Sequence, residues 1–119
     1  MTTLGLHNNQ LTDVGPLAGL TGLTSLGLSS NQLTDVAPLA ALKELDWLNL
    51  ENNQLTELGP LGGLAELTTL ILNDNPVTTL RPLRSYLERQ PKVFFEISTL
   101  EGLYLENCPL TDPPVEGAR

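Results

Sequence analysis

The 119-residue chain has one cysteine, one histidine and few aromatic residues, which make up 4% of the sequence. A single cysteine, Cys108, allows no disulfide within the chain, which excludes the disulfide-rich caps of many secreted repeat proteins. A single histidine, His7, has no second imidazole or cysteine near it in the sequence, so it is predicted to be a surface residue rather than a metal ligand. With so few aromatic residues, another residue type has to supply the hydrophobic core.

Basic residues are also scarce: six Lys and Arg stand against 14 Asp and Glu, for a formal net charge of −8. The chain therefore lacks the electrostatic signature of nucleic-acid or anionic-membrane binding, and its apolar runs are too short to span a bilayer. Residues 1–80 carry eight acids and one base, Lys43, whereas residues 81–119 carry six acids and five bases. A neutral or basic protein partner is favoured, with no nucleic acid, no membrane and no cofactor.

The first residues lack the basic segment and the apolar core of a signal peptide, and no Asn-x-Ser/Thr glycosylation sequon occurs anywhere. Both absences favour a cytoplasmic location. A secreted or surface location is the alternative if the sequence is a fragment of a longer chain.

Leucine is the residue in excess: it accounts for 28 positions, about a quarter of the chain. One set of leucines recurs every 22 residues, and four other sets of equivalent positions, here called columns, recur with the same spacing. The five columns are Leu4, Leu26, Leu48 and Leu70; Asn9, Asn31, Asn53 and Asn75; Leu11, Leu33, Leu55 and Val77; Thr12, Thr34, Thr56 and Thr78; and Pro16, Pro38, Pro60 and Pro82. An irregular fifth unit begins at Leu103, whereas the regular step would place its start at Lys92, which indicates an insertion before it. Five columns in one phase identify a tandem repeat.

Each unit reads LxxLxLxxNxLTxxxPLxxL, and both halves of this pattern predict local structure. Alternating leucines such as Leu26 and Leu28, among small or polar neighbours, predict a short strand with one buried face. Pro38 suits the first position of a helical turn, and so short a unit leaves little room for a full α-helix, so 3₁₀ turns are expected. Stacked units predict an α/β solenoid, a horseshoe with a parallel concave β-sheet and convex 3₁₀ turns.

The asparagine column lies where the chain leaves each strand, and a buried amide there can satisfy turn backbone groups that would otherwise be unpaired. This predicts a structural ladder of Asn9, Asn31, Asn53, Asn75 and, in the last unit, Cys108. The alternative for Cys108 is a catalytic nucleophile, but its place in the ladder favours burial. The oxygen-rich segments 51–53 and 73–75 could suggest a cation site. They coincide with the ladder turns, so no metal site is predicted.

The pattern resembles the leucine-rich repeat, and Asn-Gln-Leu-Thr-Asp-Val-x-Pro-Leu, at residues 9–17 and 31–39, closely resembles the 22-residue repeats of bacterial internalin-type proteins. That resemblance implies a curved solenoid whose concave sheet binds a host receptor. Residues 103–114 instead resemble the last repeat before the GTPase module of bacterial Roco proteins. No Gly-x-x-x-x-Gly-Lys-Ser/Thr phosphate loop is present. The main hypothesis is a protein-interaction scaffold and not an enzyme. The alternative is a ligand-sensing or regulatory repeat fragment of a Roco-type GTPase.

The sequence predicts one leucine-rich repeat domain over residues 1–119. Its parts are regular repeats in 1–83, a helical and extended insertion in 84–100, a degenerate last repeat in 101–114 and a tail in 115–119. Prolines 82 and 91 bracket a predicted helix of about two turns, and residues 93–97 predict an extra strand or lid. A partner-binding loop is the alternative for this insertion. Neither end carries a polar cap, so a homo-oligomer through uncapped ends is also predicted.

The candidate partner-binding residues are those that the strand alternation directs away from the core, here called the concave face. The first two units place only small residues and His7 there. The later units place larger ones, and the candidates are Trp47, Asn49, Glu51, Ile71, Asn73, Tyr104 and Glu106. Exposed aromatic residues beside acidic ones are typical of interface hot spots. The alternative is that Trp47 and Tyr104 pack on each other or under the insertion.

Overall fold

The computed structural model describes residues 2–79, 81–83, 103–104 and 106–110. Within them, five short strands form one parallel sheet in chain order: β1 (Thr3–Gly5), β2 (Ser25–Gly27), β3 (Trp47–Asn49), β4 (Thr69–Ile71) and β5 (Leu103–Tyr104). The strands pair in a constant register, which aligns Leu4, Leu26, Leu48, Leu70 and Leu103. The pairing of Leu70 with Leu103 agrees with the insertion predicted before the last unit.

Each of the first four units crosses the other side of the core in a 3₁₀ turn: η1 (Gly15–Gly19), η2 (Ala37–Ala41), η3 (Gly59–Leu61) and η4 (Arg81–Leu83). The solenoid, its parallel sheet and its convex 3₁₀ turns are as expected, and the described residues include no α-helix. In η2, Pro38 occupies the second position rather than the first. Both positions belong to the first turn, where a missing N–H costs no intrahelical hydrogen bond.

An acidic side chain prepares the entry to each of the first two 3₁₀ turns. Oδ1 of Asp13 accepts a hydrogen bond from the backbone N–H of Gly15 at 2.8 Å, and Oδ1 of Asp35 accepts one from Ala37 at 2.9 Å. In the fourth unit, the hydroxyl of Thr79 accepts from the N–H of Arg81 at 3.2 Å. Side chains that bond to the backbone two residues further on are typical of turns, and here they fix the start of the convex turn.

The core between the sheet and the 3₁₀ turns consists almost wholly of leucine. In the second, third and fourth units, called the inner units, the strand leucines are completely buried, as are the leucines at the same place in the convex turns, Leu39, Leu61 and Leu83. Burial of one such side chain contributes about 1.5 to 3 kcal/mol to folding. The first unit differs, since five of its leucines are only partly buried: Leu4, Leu6, Leu11, Leu17 and Leu20.

Several predicted elements lie outside the described residues. These are the helix beyond residue 83, the strand or lid at 93–97 and the tail at 115–119. No helix in the described part of the chain has the length and apolar character needed to cross a membrane.

Candidate functional site: the concave face and the asparagine ladder

The concave face is held in place by the asparagine column at its edge. Asn53 is buried, and its Nδ2 donates to the carbonyl oxygens of Leu50, at 2.9 Å, and of Leu28 in the preceding unit, at 3.0 Å. Its Oδ1 accepts a hydrogen bond from the N–H of Leu33, again in the preceding unit, at 3.1 Å. One amide therefore closes its own turn and fixes the unit before it.

The other inner units repeat this arrangement. Asn31 reaches back to the carbonyl of Leu6 at 3.1 Å, and Asn75 reaches back to that of Leu50 at 2.8 Å. In the last unit the Sγ of Cys108 donates to the carbonyl of Leu72 at 3.0 Å, so the thiol takes the place of the amide. Asn9 is exposed, and its side chain donates only within its own unit, which separates this amide from the rest of the ladder.

The environment of Cys108 disfavours a reactive thiolate. The residue is half-buried, and burial raises the pKa of its thiol above the ordinary value; the charge of Asp74 raises it further, against a hydrogen bond from the Asn75 backbone. A raised thiol pKa leaves little thiolate at neutral pH, and the thiolate is the nucleophilic form. The geometry suits a structural cysteine.

Sequence reasoning missed a second column next to the ladder. One position adopts the left-handed backbone conformation in every unit, with φ between 57° and 61°: Asn8, Ser30, Asn52, Asp74 and Asn107. In the first unit Gln10 adopts it as well, with φ 57°. Asparagine and aspartate tolerate this conformation better than most residues, so their recurrence at this position in four of the five units was the available signal. Side chains also link the column, since Nδ2 of Asn52 donates to Oγ of Ser30 at 3.2 Å. The chain therefore leaves every strand in the same direction.

The strand register arranges the concave face in rows. The first row is Thr3, Ser25, Trp47 and Thr69. The second row is Gly5, Gly27, Asn49, Ile71 and Tyr104. A third row, one step beyond the strands, is His7, Ser29, Glu51, Asn73 and Glu106, and it is kept in line by backbone bonds such as that from Ser30 N–H to the Glu51 carbonyl at 2.8 Å.

The structure places six of the candidate partner-binding side chains on this face. Trp47, Asn49, Glu51, Ile71 and Asn73 are half-buried, and Glu106 is exposed. For Tyr104 the structure describes the backbone only, which pairs with Ile71 in the neighbouring strand.

Two of the candidates, Asn49 and Asn73, also accept hydrogen bonds from the backbone. Oδ1 of Asn49 accepts a hydrogen bond from the N–H of Glu51 at 2.9 Å, and Oδ1 of Asn73 accepts one from the N–H of Glu106 at 2.6 Å. The oxygen of each amide is thus used to hold the third row. Their substitution would disturb the face as well as any contact made through it.

The ring of Trp47 leans across β2 rather than toward β4. Its Cζ3 atom would lie 3.8 Å from a methyl group at Gly27, which is ordinary van der Waals contact. This contact places the ring edge of Trp47 on the side of the face that carries the glycines. The ring also points away from β5, the strand of Tyr104, because β5 lies on the far side of β4.

A metal site finds no support in the described part of the chain, where no three His, Cys, Asp or Glu side chains converge. The acidic residues at the strand exits, such as Glu51 and Asp74, are dispersed among amides that bond to the fold. The geometry instead offers an ordered sheet surface that carries one half-buried tryptophan, Trp47.

Known proteins share this architecture. A model of the family "Leucine Rich repeats (2 copies)" matches residues 1–41 and 43–85. Internalin C2 of Listeria monocytogenes is 38% identical over 94% of this chain and 45% of its own, with a TM-score of 0.81. Internalin F of the same organism is 31% identical over 91% of this chain and 28% of its own, with a TM-score of 0.69.

A plant protein extends the likeness. The leucine-rich repeat ectodomain of the receptor kinase SOBIR1 from Arabidopsis thaliana is 25% identical over 71% of this chain and 52% of its own, with a TM-score of 0.54. The chain spans less than half the length of either internalin, and no curated protein matches its sequence significantly. With its short tandem units, asparagine ladder and convex 3₁₀ turns, the chain belongs to the leucine-rich repeat family and is of the internalin type.

Proposed function

We propose that this chain is a scaffold that binds a protein partner through its concave face, with Trp47 as the central contact. The observation that carries the proposal is the half-buried Trp47 on a sheet whose rows are fixed in register. A tryptophan presented on a rigid support is a frequent hot spot of protein interfaces. Leucine-rich repeats are generally protein-interaction folds rather than enzymes.

The rigidity of the face supports the proposal energetically. In the described residues, no buried side-chain nitrogen or oxygen lacks a hydrogen-bond partner. The strand exits are held by the ladder, and the third row by the amides of Asn49 and Asn73. A face that is ordered before binding loses little conformational entropy when a partner docks.

The test uses a protein partner that the unsubstituted chain captures from a lysate of the source cell. Trp47→Ala is expected to weaken binding of this partner by about 2 kcal/mol or more, because it removes the largest exposed side chain of the face. Its Tm should stay close to that of the unsubstituted chain, since Trp47 lies on the surface of the sheet and outside the buried leucine core. Isothermal titration calorimetry and thermal denaturation measure the two quantities.

A matched control is Glu44→Ala, which removes an exposed side chain from the turn between η2 and β3, outside the rows of the concave face. This variant should bind the partner normally. Normal binding by Trp47→Ala, or unfolding of that variant, would return Trp47 to a structural role and contradict the proposal.

Four other interpretations stay predictions. A regulatory fragment of a Roco-type GTPase depends on the last unit, of which residues 105 and 111–114 lie outside the described part. Assembly into a homo-oligomer through the partly buried leucines of the first unit and a cytoplasmic location are also untested. A partner-binding role for the insertion at 84–100 is likewise a prediction.

A further inference from the structure

We infer that the partner presents a basic segment to the concave face, and that Trp47 with Gly5 and Gly27 forms a seat for one of its arginine side chains. This arginine seat consists of the Trp47 ring and the bare strand backbone beside it. The inference rests on the proposed function and adds the chemistry of the group that is recognised.

The shape of the seat comes from two glycines in one row. Gly5 and Gly27 are paired neighbours on β1 and β2. A methyl group at Gly5 would have no atom within 4 Å, and one at Gly27 would meet only the Trp47 ring and the β1 backbone, at 3.8 to 4.0 Å. The row therefore has a flat floor of main chain, and the indole ring stands at its edge. A planar group can lie on this floor against the ring.

The negative charge of the concave face favours a planar group that is positively charged over one that is neutral. The carboxylates of Glu51 and Glu106 lie in its third row, and the only basic side chain among the described rows is that of His7. The described lysine and arginine residues lie elsewhere: Lys43 follows η2, with its Nζ beside Gly63, and Arg81 belongs to η4. In the described part of the chain, the concave face thus carries acids without a lysine or arginine.

Distance makes this charge effective at the seat. Glu51 lies one strand over and two residues along from Gly27, which in a regular sheet is about 8 Å between Cα atoms. That separation is comparable to the screening length at physiological salt, about 8 Å. A guanidinium placed on the floor would lie beside the Trp47 ring, within reach of a cation–π contact, and would feel the carboxylate of Glu51. Arginine suits the seat better than lysine because its charged group is flat and weakly hydrated.

The test uses blocked hexapeptides in which serine alternates with a second residue, titrated at about 50 mM salt, where screening is weak. The second residue is arginine, its uncharged isostere citrulline, lysine or phenylalanine. Trp47 is the only tryptophan, so its fluorescence and its indole N–H resonance report on this site alone. The arginine peptide is expected to bind about tenfold more tightly than the citrulline peptide, and to lose most of this advantage at about 500 mM salt.

Variants then assign the binding to the seat. Gly27→Leu should fill the floor and weaken arginine-peptide binding roughly fivefold, and Trp47→Leu should do the same by removing the π face while keeping apolar bulk. Ile71→Ala is the matched control on the same face, and it should bind the arginine peptide normally. Amide chemical shifts measure these affinities without the tryptophan, and an unchanged Tm shows that each variant is folded.

Equal affinity for the citrulline or phenylalanine peptide would overturn the arginine seat, as would normal binding by both Gly27→Leu and Trp47→Leu. If the captured partner needs Trp47 while the peptides show no preference for arginine, the proposed function stands and this inference fails. If the partner binds Trp47→Ala normally, the proposed function fails whatever the peptides show.

Discussion

The first unit and the inner units carry nearly the same sequence in different surroundings. Leu48 in β3 is completely buried between β2 and β4, whereas Leu4 in β1 has a strand on one side only and is partly buried. Asn53 is 5% exposed and bonds to two units, whereas Asn9 is exposed and its side chain donates only to the carbonyls of Leu6 and His7. Burial in this fold is thus supplied by both neighbours and not by the unit itself.

The largest test of this comparison is the leucine column itself. Leu48→Ala should lower the free energy of unfolding by about 2 to 5 kcal/mol, because it leaves a cavity among fully packed leucines. Leu4→Ala removes the same atoms from a site that solvent already reaches, so its cost should be below about 2 kcal/mol. Urea denaturation of both variants measures the difference. Equal losses would show that the two columns are buried alike in solution.

The ladder gives the second test. Asn53→Ala should cost roughly 1 to 3 kcal/mol, since it leaves the buried N–H of Leu33 without its side-chain acceptor and removes one of the two amide donors to the carbonyl of Leu28. Asn9→Ala should cost distinctly less, because water can replace its exposed bonds. The denaturant midpoints of the two variants check this. An unchanged midpoint for Asn53→Ala would mean that the ladder does not stabilise the fold.

Packing between convex turns gives a third, smaller contrast. Gly62 has an ordinary helical backbone, φ −65° and ψ −23°, yet a methyl group there would lie 2.5 Å from the carbonyl oxygen of Pro82 in the next unit. Gly62→Ala should therefore destabilise by about 1 to 2 kcal/mol through steric overlap. Gly19, at the end of η1, has nothing within 4 Å of such a methyl group.

Gly19→Ala is accordingly the matched control, expected to be neutral or slightly stabilising because alanine restricts the unfolded chain. Thermal denaturation of both variants measures the contrast. If Gly62→Ala were as stable as Gly19→Ala, the close approach of η3 and η4 would have to be looser than the structure has it.

The smallest expected effect concerns Cys108 and pH. Burial raises the pKa of its thiol in the folded state above the value in the unfolded chain. The unfolded chain therefore loses this proton first, and stability should fall as the pH rises beyond the ordinary thiol pKa, about 8.5. Cys108→Ser, which keeps a donor for the Leu72 carbonyl but does not ionise in this range, should show a smaller fall. Urea midpoints near pH 7.5 and near pH 10 test this, and parallel curves for the two proteins would contradict it.

The repeat period made much of the fold predictable. The constant step between Leu26, Leu48 and Leu70 predicted the strand register, because identical units stack most simply in identical positions. The same step marked the asparagines of the ladder. Short units predicted 3₁₀ turns, since little room was left for an α-helix.

Features that depend on a single position were harder to predict. Strand alternation placed Trp47 on the concave face, but it could not give the direction of the ring. That direction leads over Gly27, where no side chain stands in its way. The left-handed column was missed because Ser30 and Asp74 vary in type while sharing one backbone conformation. The pattern of residue types predicts which side of a repeat is buried better than it predicts the backbone φ and ψ angles of single residues.

The backward reach of the ladder has a consequence for how the chain folds. The N–H of Leu33 meets its acceptor on Asn53, and that of Leu55 meets its acceptor on Asn75, so each turn is completed by the unit that follows it. A single repeat cannot finish its own structure, and the smallest cooperative step is a pair. Structure should therefore propagate along the chain from repeat to repeat, and each repeat becomes fully hydrogen-bonded only when the next one has folded.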